Sequence, residues 1–249
     1  MMSVSQKGGM IKEAVILAAG QGTRIRNLSG ERPKPLVEVA GKTLLDSAVE
    51  NLLSNGIERV VVVVGYEHQQ IRDHVAAAPY RNSVVFVQND EWMKENGISV
   101  FKAREALEDD FFLLQMVDHI FDRAIYREVI NFDREQGHSY LCIDRDIQAV
   151  FDLPDATKLV VEENGSISSI SKDLNDFNAC DTGLFLMSSD IFKYFEQAGI
   201  QGRSTISNAV QDAGRANSFF TIDVTGIPWL DVDTYEAWEE AERRGALEG

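Results

Sequence analysis

Three short runs of this chain, 14–18, 60–64 and 111–114, are apolar throughout, and longer amphipathic stretches separate them. A strand that is apolar on both faces is buried on both, the condition of a mostly parallel sheet covered by helices on each side. Leu44, Leu45, Ala48, Val49, Leu52 and Leu53 recur at helical spacing and predict a helix closed by Gly56. Segment 67–78 reads as a short helix stopped by Pro79, 84–87 as a strand and 99–107 as a helix. The strand at 111–116 runs into Val117, Asp118 and His119, and a helix from Asp122, a good N-cap, to Gly137 follows. Asp118 therefore falls at the C-terminal end of a strand, the edge at which open α/β sheets bind ligands.

Beyond this the pattern changes. Segments 141–143, 157–161 and 167–171 read as strands, the last two joined by a turn containing Asn164-Gly165, a hairpin signal. A β-rich lobe at about 141–183 is expected, built onto the sheet and not standing as a separate domain. Asp190 is expected to cap a helix ending at Gly199, and Asp233 with Glu236 has capping-box spacing for a last helix ending near Gly245. Residues 1–10 read as a loose start without the apolar core of a signal peptide, and 11–249 as a single domain.

Charge and length exclude several functions. With 40 acidic and 24 basic side chains the net charge is -16, so nucleic acid and anionic membrane surfaces repel the chain at long range. No apolar run approaches the roughly 20 residues needed to cross a bilayer. Cys142 and Cys180 are too far apart for a CxxC pair and lack a clustered histidine, so neither a zinc site nor a disulfide framework is expected, and reduced cytoplasmic thiols fit best.

The most informative stretch is Leu17-Ala18-Ala19-Gly20-Gln21-Gly22-Thr23-Arg24, directly after the first strand, followed by Pro33-Lys34-Pro35-Leu36. Small residues and two glycines let the backbone approach a ligand, and their N–H groups can bind a base edge and phosphate oxygens. Arg24 and Lys34 supply the positive charge that a triphosphate requires. Two other nucleotide motifs fail: Ile25 stands where a dinucleotide fingerprint needs its third glycine, and Leu36 where a Walker loop ending at Gly41-Lys42-Thr43 needs its first.

With LAAGxGTR and PKPL both present, the chain resembles the sugar-nucleotidyltransferase-like enzymes. Glu95-Asn96-Gly97-Ile98-Ser99-Val100, Asp118-His119, Ala156-Thr157-Lys158, Asp181-Thr182-Gly183-Leu184-Phe185 and Asp231-Val232-Asp233-Thr234 look like the inositol-1-phosphate cytidylyltransferase branch. The resemblance implies a Rossmann-like nucleotidyltransferase fold, with CTP and Mg²⁺ as co-reactants and CDP-inositol and pyrophosphate as products. It implies that the backbone from Leu17 to Thr23, with Asn96 and Gly97, holds the nucleotide, and that Arg24 and Lys34 hold phosphates. Asp118, with Asp231 or Asp233, would ligate the metal. Lys158 and Lys172 are candidates for the acceptor phosphate, and Asp144 and Asp181 for polyol hydroxyls. One departure is Val117, where the family usually has glycine.

The carboxylates suit this chemistry on physical grounds. Mg²⁺ is commonly held by one or two carboxylates plus substrate phosphates. Asp231 and Asp233 both precede a helix, so one is expected to cap it and the other to bind. The expected reaction is in-line attack by a phosphate-monoester oxygen on the α-phosphorus of CTP. That phosphate has a second pKa of about 6 and is ionised near neutral pH, so no general base is needed, which fits the lack of a Ser-His-Asp or Cys-His constellation. His119 could touch pyrophosphate or be structural; Trp92 and Trp238 read as packing residues. Competing readings are phosphocholine or an aminoalkylphosphonate as acceptor, another nucleotide with a sugar phosphate, or a binding module without turnover. Some relatives carry a membrane CDP-alcohol phosphotransferase on the same chain. None follows before Gly249, so a separate enzyme is expected to take the product.

Overall fold

A computed structural model describes residues 9–25 and 32–247. Strand β1 (Glu13–Ala18) lies inside a nine-stranded sheet, paired in parallel with β4 (Arg59–Val64) on one side and β6 (Phe111–Met116) on the other. Strand β5 (Val84–Gln88) extends the parallel half beyond β4. Side chains of β1 and β4 alternate between two cores, as the period of two requires. Ala14, Ile16, Val60 and Val62 meet helix α1 (Leu44–Ser54), α2 (His68–Ala77) and α4 (Arg123–Asn131) on one face. Val15, Leu17, Val61 and Val63 meet α3 (Gly97–Ala103), α5 (Phe192–Ile200) and α6 (Ile206–Arg215) on the other. Each fully buried valine of β4 contributes roughly 1.5–3 kcal/mol of burial free energy.

The other half of the sheet is mostly antiparallel and takes in the strands of the 141–183 stretch together with a strand at Phe219–Asp223. The hairpin of β9 (Lys158–Val161) and β10 (Ile167–Ser171) turns at Gly165, at φ +82°. The ten-residue β11 (Ala179–Ser188) runs antiparallel to β6, β8 (Ser139–Asp144) and β9, and β12 (Phe219–Asp223) lies parallel to β8. The lobe is thus continuous with the sheet. The α/β class with a mixed, mostly parallel sheet flanked by helices is borne out.

Two small pairings fall outside it: β2 (Glu38–Val39) with β3 (Lys42–Thr43), and β7 (His119–Phe121) with β13 (Trp229–Asp231). The second brings the C-terminal aspartates to the end of β6, with Asp231 opposite His119 and Val232 N–H donating to the Asp118 carbonyl at 2.9 Å.

Several expected boundaries move. Asp122 caps α4 as expected, its carboxylate accepting from Ala124 N–H at 2.7 Å, but α4 stops at Asn131 and not Gly137. Phe132 turns extended there, and its ring packs on Tyr140 at 5.0 Å. Ser188, not Asp190, caps the turn before α5. Helix α7 (Tyr235–Arg243) is capped by Thr234, whose hydroxyl accepts from Ala237 N–H at 3.2 Å. Neither Asp231 nor Asp233 is spent on capping. Most of the 1–10 start lies outside the described residues.

Candidate active site

The C-terminal ends of β1, β4 and β6 share one edge, and two cavities open there. One, of about 330 Å³, is walled by Leu17, Ala18, Ala19, Gly20, Gly22, Thr23, Arg24, Lys34 and Asn96. The other, of about 470 Å³, lies over the lobe and is walled in part by Asp144, Asp155, Lys172, Asp181, Gly183 and Trp229. Asn96, Met116, Asp118 and Asp233 border both, so the two aspartates stand at the seam.

Lys34 holds that seam. Its Nζ donates to Asp118 Oδ2 at 2.6 Å and to Asp233 Oδ1, and only 5% of the residue is exposed. Burial alone would lower its pKa, but the carboxylates of Asp118, Asp233 and Asp231 outweigh that and push it up to about 12. The lysine stem crosses Gly22, at φ +61°, where an added Cβ would stand 2.5 Å from Lys34 Cβ. The second glycine of the motif is therefore required by Lys34 as well as by its own backbone.

Asp118 also accepts from His119 Nδ1 at 2.9 Å. Burial works against the charged form of Asp118, yet Lys34 and His119 hold its carboxyl far below the usual range. His119 is likewise raised, to about 9, where burial is outweighed by Asp231, Asp118 and Asp181. Its ring lies parallel to Trp229 at 6.3 Å and over Gly183, whose added Cβ would stand 2.4 Å from the ring. Arg24 donates to Asp155 Oδ2 at 2.6 Å and to Asp233 Oδ2. Asp155 also pairs with Lys172 Nζ at 3.1 Å. Burial would raise the Asp155 pKa, but the bonds from Arg24 and Lys172 lower it.

One atom of this constellation lacks a partner. Asp231 Oδ1 is buried without a hydrogen bond, and its nearest cation is His119 Nδ1 at 3.9 Å. Burial and the neighbouring acids push the Asp231 pKa up to about 6, against the pull of His119 and Lys34. Asp231 joins two candidate ligand clusters, Asp118 with His119 and Asp155 with Asp233, and a buried acceptor left open there fits a hard cation taking oxygen ligands.

The MobA-like NTP transferase domain model matches residues 14–199. The chain belongs to that family. It is similar to the bifunctional IPC transferase and DIPP synthase of Aquifex aeolicus (strain VF5), 33% identical over 236 residues that cover 94% of this chain and 52% of the relative. The chain thus spans about half the length of the first such relatives. It is also similar to the UTP–glucose-1-phosphate uridylyltransferase AglF of Haloferax volcanii, 30% identical over 241 residues, 93% of this chain and 96% of the relative. Among solved structures it matches the fold of the inositol-1-phosphate CTP transferase from T. maritima, with TM-score 0.82 and 24% identity over 97% of this chain and 98% of that one.

Within this MobA-like transferase most of the expected site residues converge, and three do not. Gln21 and Gly97 are not among the walls of the smaller cavity. Gly97 is a packing glycine: an added Cβ would stand 2.3 Å from the Ser204 carbonyl oxygen. Asn96 does double duty, lining both cavities while its Oδ1 accepts from Ile206 N–H at 3.0 Å. Lys158, expected at the acceptor phosphate, is instead buried, with its ammonium on the carbonyls of Pro154, Ala156 and Lys172. Asp144 faces the larger cavity but already accepts from Trp229 Nε1 and Asp146 N–H, both at 2.9 Å. Asp181 accepts from Gly183 N–H at 2.7 Å, and burial pushes its pKa up to about 6. Val117 packs in the core at the rim of the smaller cavity.

Asp155 and Trp229 were not among the expected site residues. Cys142 and Cys180 are both free and buried. No helix among the described residues is long and apolar enough to cross a membrane.

Proposed function

We propose that this protein transfers the cytidylyl group of CTP to a phosphate-monoester acceptor, inositol 1-phosphate, giving CDP-inositol and pyrophosphate. The observation that carries the reading is the seam itself. A cradle of small residues with Arg24 and Lys34 opens on one side of Asp118 and Asp233, and a larger cavity with Lys172 opens on the other. A group passed from one substrate to another needs two sites meeting at the point of transfer. The choice of CTP and inositol 1-phosphate is supported by the motif resemblance and by the similarity to relatives named as IPC transferases.

On this reading the backbone from Leu17 to Thr23 receives the nucleotide. Lys34, buried and fully charged, lies where negative charge builds on the α-phosphate, and Arg24 faces the departing pyrophosphate. Preorganised cations of this kind lower the barrier most when they need not move. Lys172 meets the acceptor phosphate, whose oxygen attacks as pyrophosphate leaves. Asp181, with the remaining acceptor capacity of Asp144, takes polyol hydroxyls. Asp118, Asp231 and Asp233 would hold Mg²⁺, which when bound neutralises phosphate charge. A CDP-alcohol phosphotransferase is the expected consumer of the product.

A second reading has one observation in its favour: the larger cavity sets Phe151 and Trp229 among Asp146, Asp152 and Asp181, a lining that also suits a cationic head such as choline. Pyrophosphate release measured with CTP and each of inositol 1-phosphate, phosphocholine and 2-aminoethylphosphonate, and with UTP and glucose 1-phosphate, separates the readings. Turnover is expected with CTP and inositol 1-phosphate. Turnover with any other pair alone rejects the assignment.

A further inference from the structure

One carboxylate stands between the cations of the two cavities. Asp155 Oδ2 meets Arg24 at 2.6 Å while its Oδ1 meets Lys172 at 3.1 Å. The turn that carries it is pinned. Asp155 and Ala156 N–H both donate to the Asp152 carbonyl, at 3.1 and 3.0 Å. The Lys158 ammonium donates to the carbonyls of Pro154 at 3.3 Å, Ala156 at 3.2 Å and Lys172 at 2.8 Å. One buried lysine therefore grips the backbone on either side of Asp155 and the backbone of the lysine that Asp155 pairs with. Exposed ion pairs are ordinarily weak because two long side chains must be ordered to make them. Here the acid is short and its backbone is fixed before either cation arrives.

We propose that Asp155 is a built-in competitor for the substrate phosphates. Its carboxylate takes up, between Arg24 and Lys172, the place of a phosphate oxygen, and so limits how tightly the site holds its anions. This rests on the proposed reading of Arg24 and Lys172 as phosphate ligands. Lys158 is then a positioning residue that acts through Asp155. The benefit falls on turnover: as pyrophosphate departs, Asp155 recovers Arg24 and the product is not retained.

Calorimetric titration of inorganic pyrophosphate, with Mg²⁺ present, into the wild-type chain, Asp155→Asn and Asp155→Glu tests this. Asp155→Asn, close in shape but uncharged, is expected to bind pyrophosphate about fivefold or more tightly, within the usual span of coupling between neighbouring sites. Asp155→Glu retains the charge and is expected to stay within about twofold of wild type. In steady state Asp155→Asn lowers KM and kcat together, with stronger product inhibition, whereas a merely structural residue would not tighten anion binding. Unchanged or weaker pyrophosphate binding by Asp155→Asn overturns the proposal while leaving the transferase reading intact. If the wild-type chain binds neither pyrophosphate nor CTP, that reading fails and the proposal falls with it.

Discussion

Lys34 shows how one side chain sets the chemistry of its neighbours. Burial disfavours the charged form of Asp118, and the buried Lys34 ammonium, with His119, outweighs it. Lys34→Gln keeps a polar donor but removes that charge, so kcat is expected to fall more than about a hundredfold in a pyrophosphate-release assay. Asp181 works in the opposite sense. Its folded pKa is raised to about 6 by burial, above the roughly 3.9 of an unfolded aspartate. The folded state thus binds the proton more tightly, and stability declines as pH rises from about 4 through about 6, then levels off. Asp181→Asn retains an acceptor for Gly183 N–H and is expected to raise Tm at pH 7 and above, but not at pH 4 or below. An equal gain at both pH values would reject burial of the charge as the cause. Lys34 and Asp118 were legible in the sequence because each sits in a short contiguous motif. Asp155 was not, because its partner Arg24 lies 131 positions away and nothing local sets it apart from the acids around it.

The elements that place these residues divide in the same way. Strands β1, β4 and β6 could be read from composition, since burial on both faces leaves a run of apolar residues that no surface strand shows. The β7–β13 pair could not, because three-residue strands are too short to display a period, yet this pair carries Asp231 and Asp233 to Asp118. The capping-box spacing from Asp233 was misleading for a related reason. Thr234 is equally able to cap and lies one residue closer to α7, which leaves Asp233 to bind Lys34 and Arg24. Thr234→Ala is therefore expected to cost about 1 kcal/mol in urea unfolding, while Asp233→Asn leaves the cap intact. A larger stability loss from Asp233→Asn with none from Thr234→Ala would restore the box. Lys158 teaches the same lesson inside the lobe. Expected at the acceptor phosphate, it is instead taken up by three carbonyls that only the fold brings together.

Across the whole molecule, local and global electrostatics oppose each other. The net charge of -16 repels any anion at a distance, while on the proposed reading Lys34, Arg24 and Lys172 attract the substrate phosphates at the seam. Salt separates the two contributions by range. At about 0.1 M ionic strength the Debye length is roughly 10 Å, so long-range repulsion is largely screened, whereas contacts of a few ångströms at a partly enclosed site are screened much less. Raising the ionic strength from about 10 to about 150 mM is therefore expected to speed CTP association at fixed free Mg²⁺, the reverse of steered binding to a basic surface. Stopped-flow tryptophan fluorescence can follow it, since Trp92 lines the smaller cavity, where the proposed function places the nucleotide. Arg24→Gln should lower the affinity reached yet keep the positive salt slope, because that slope belongs to the whole surface and not to the site. Association that slows with salt in the wild-type chain would mean that the cations at the cavity mouth dominate the approach, and that the acidic surface faces away from the path the nucleotide takes.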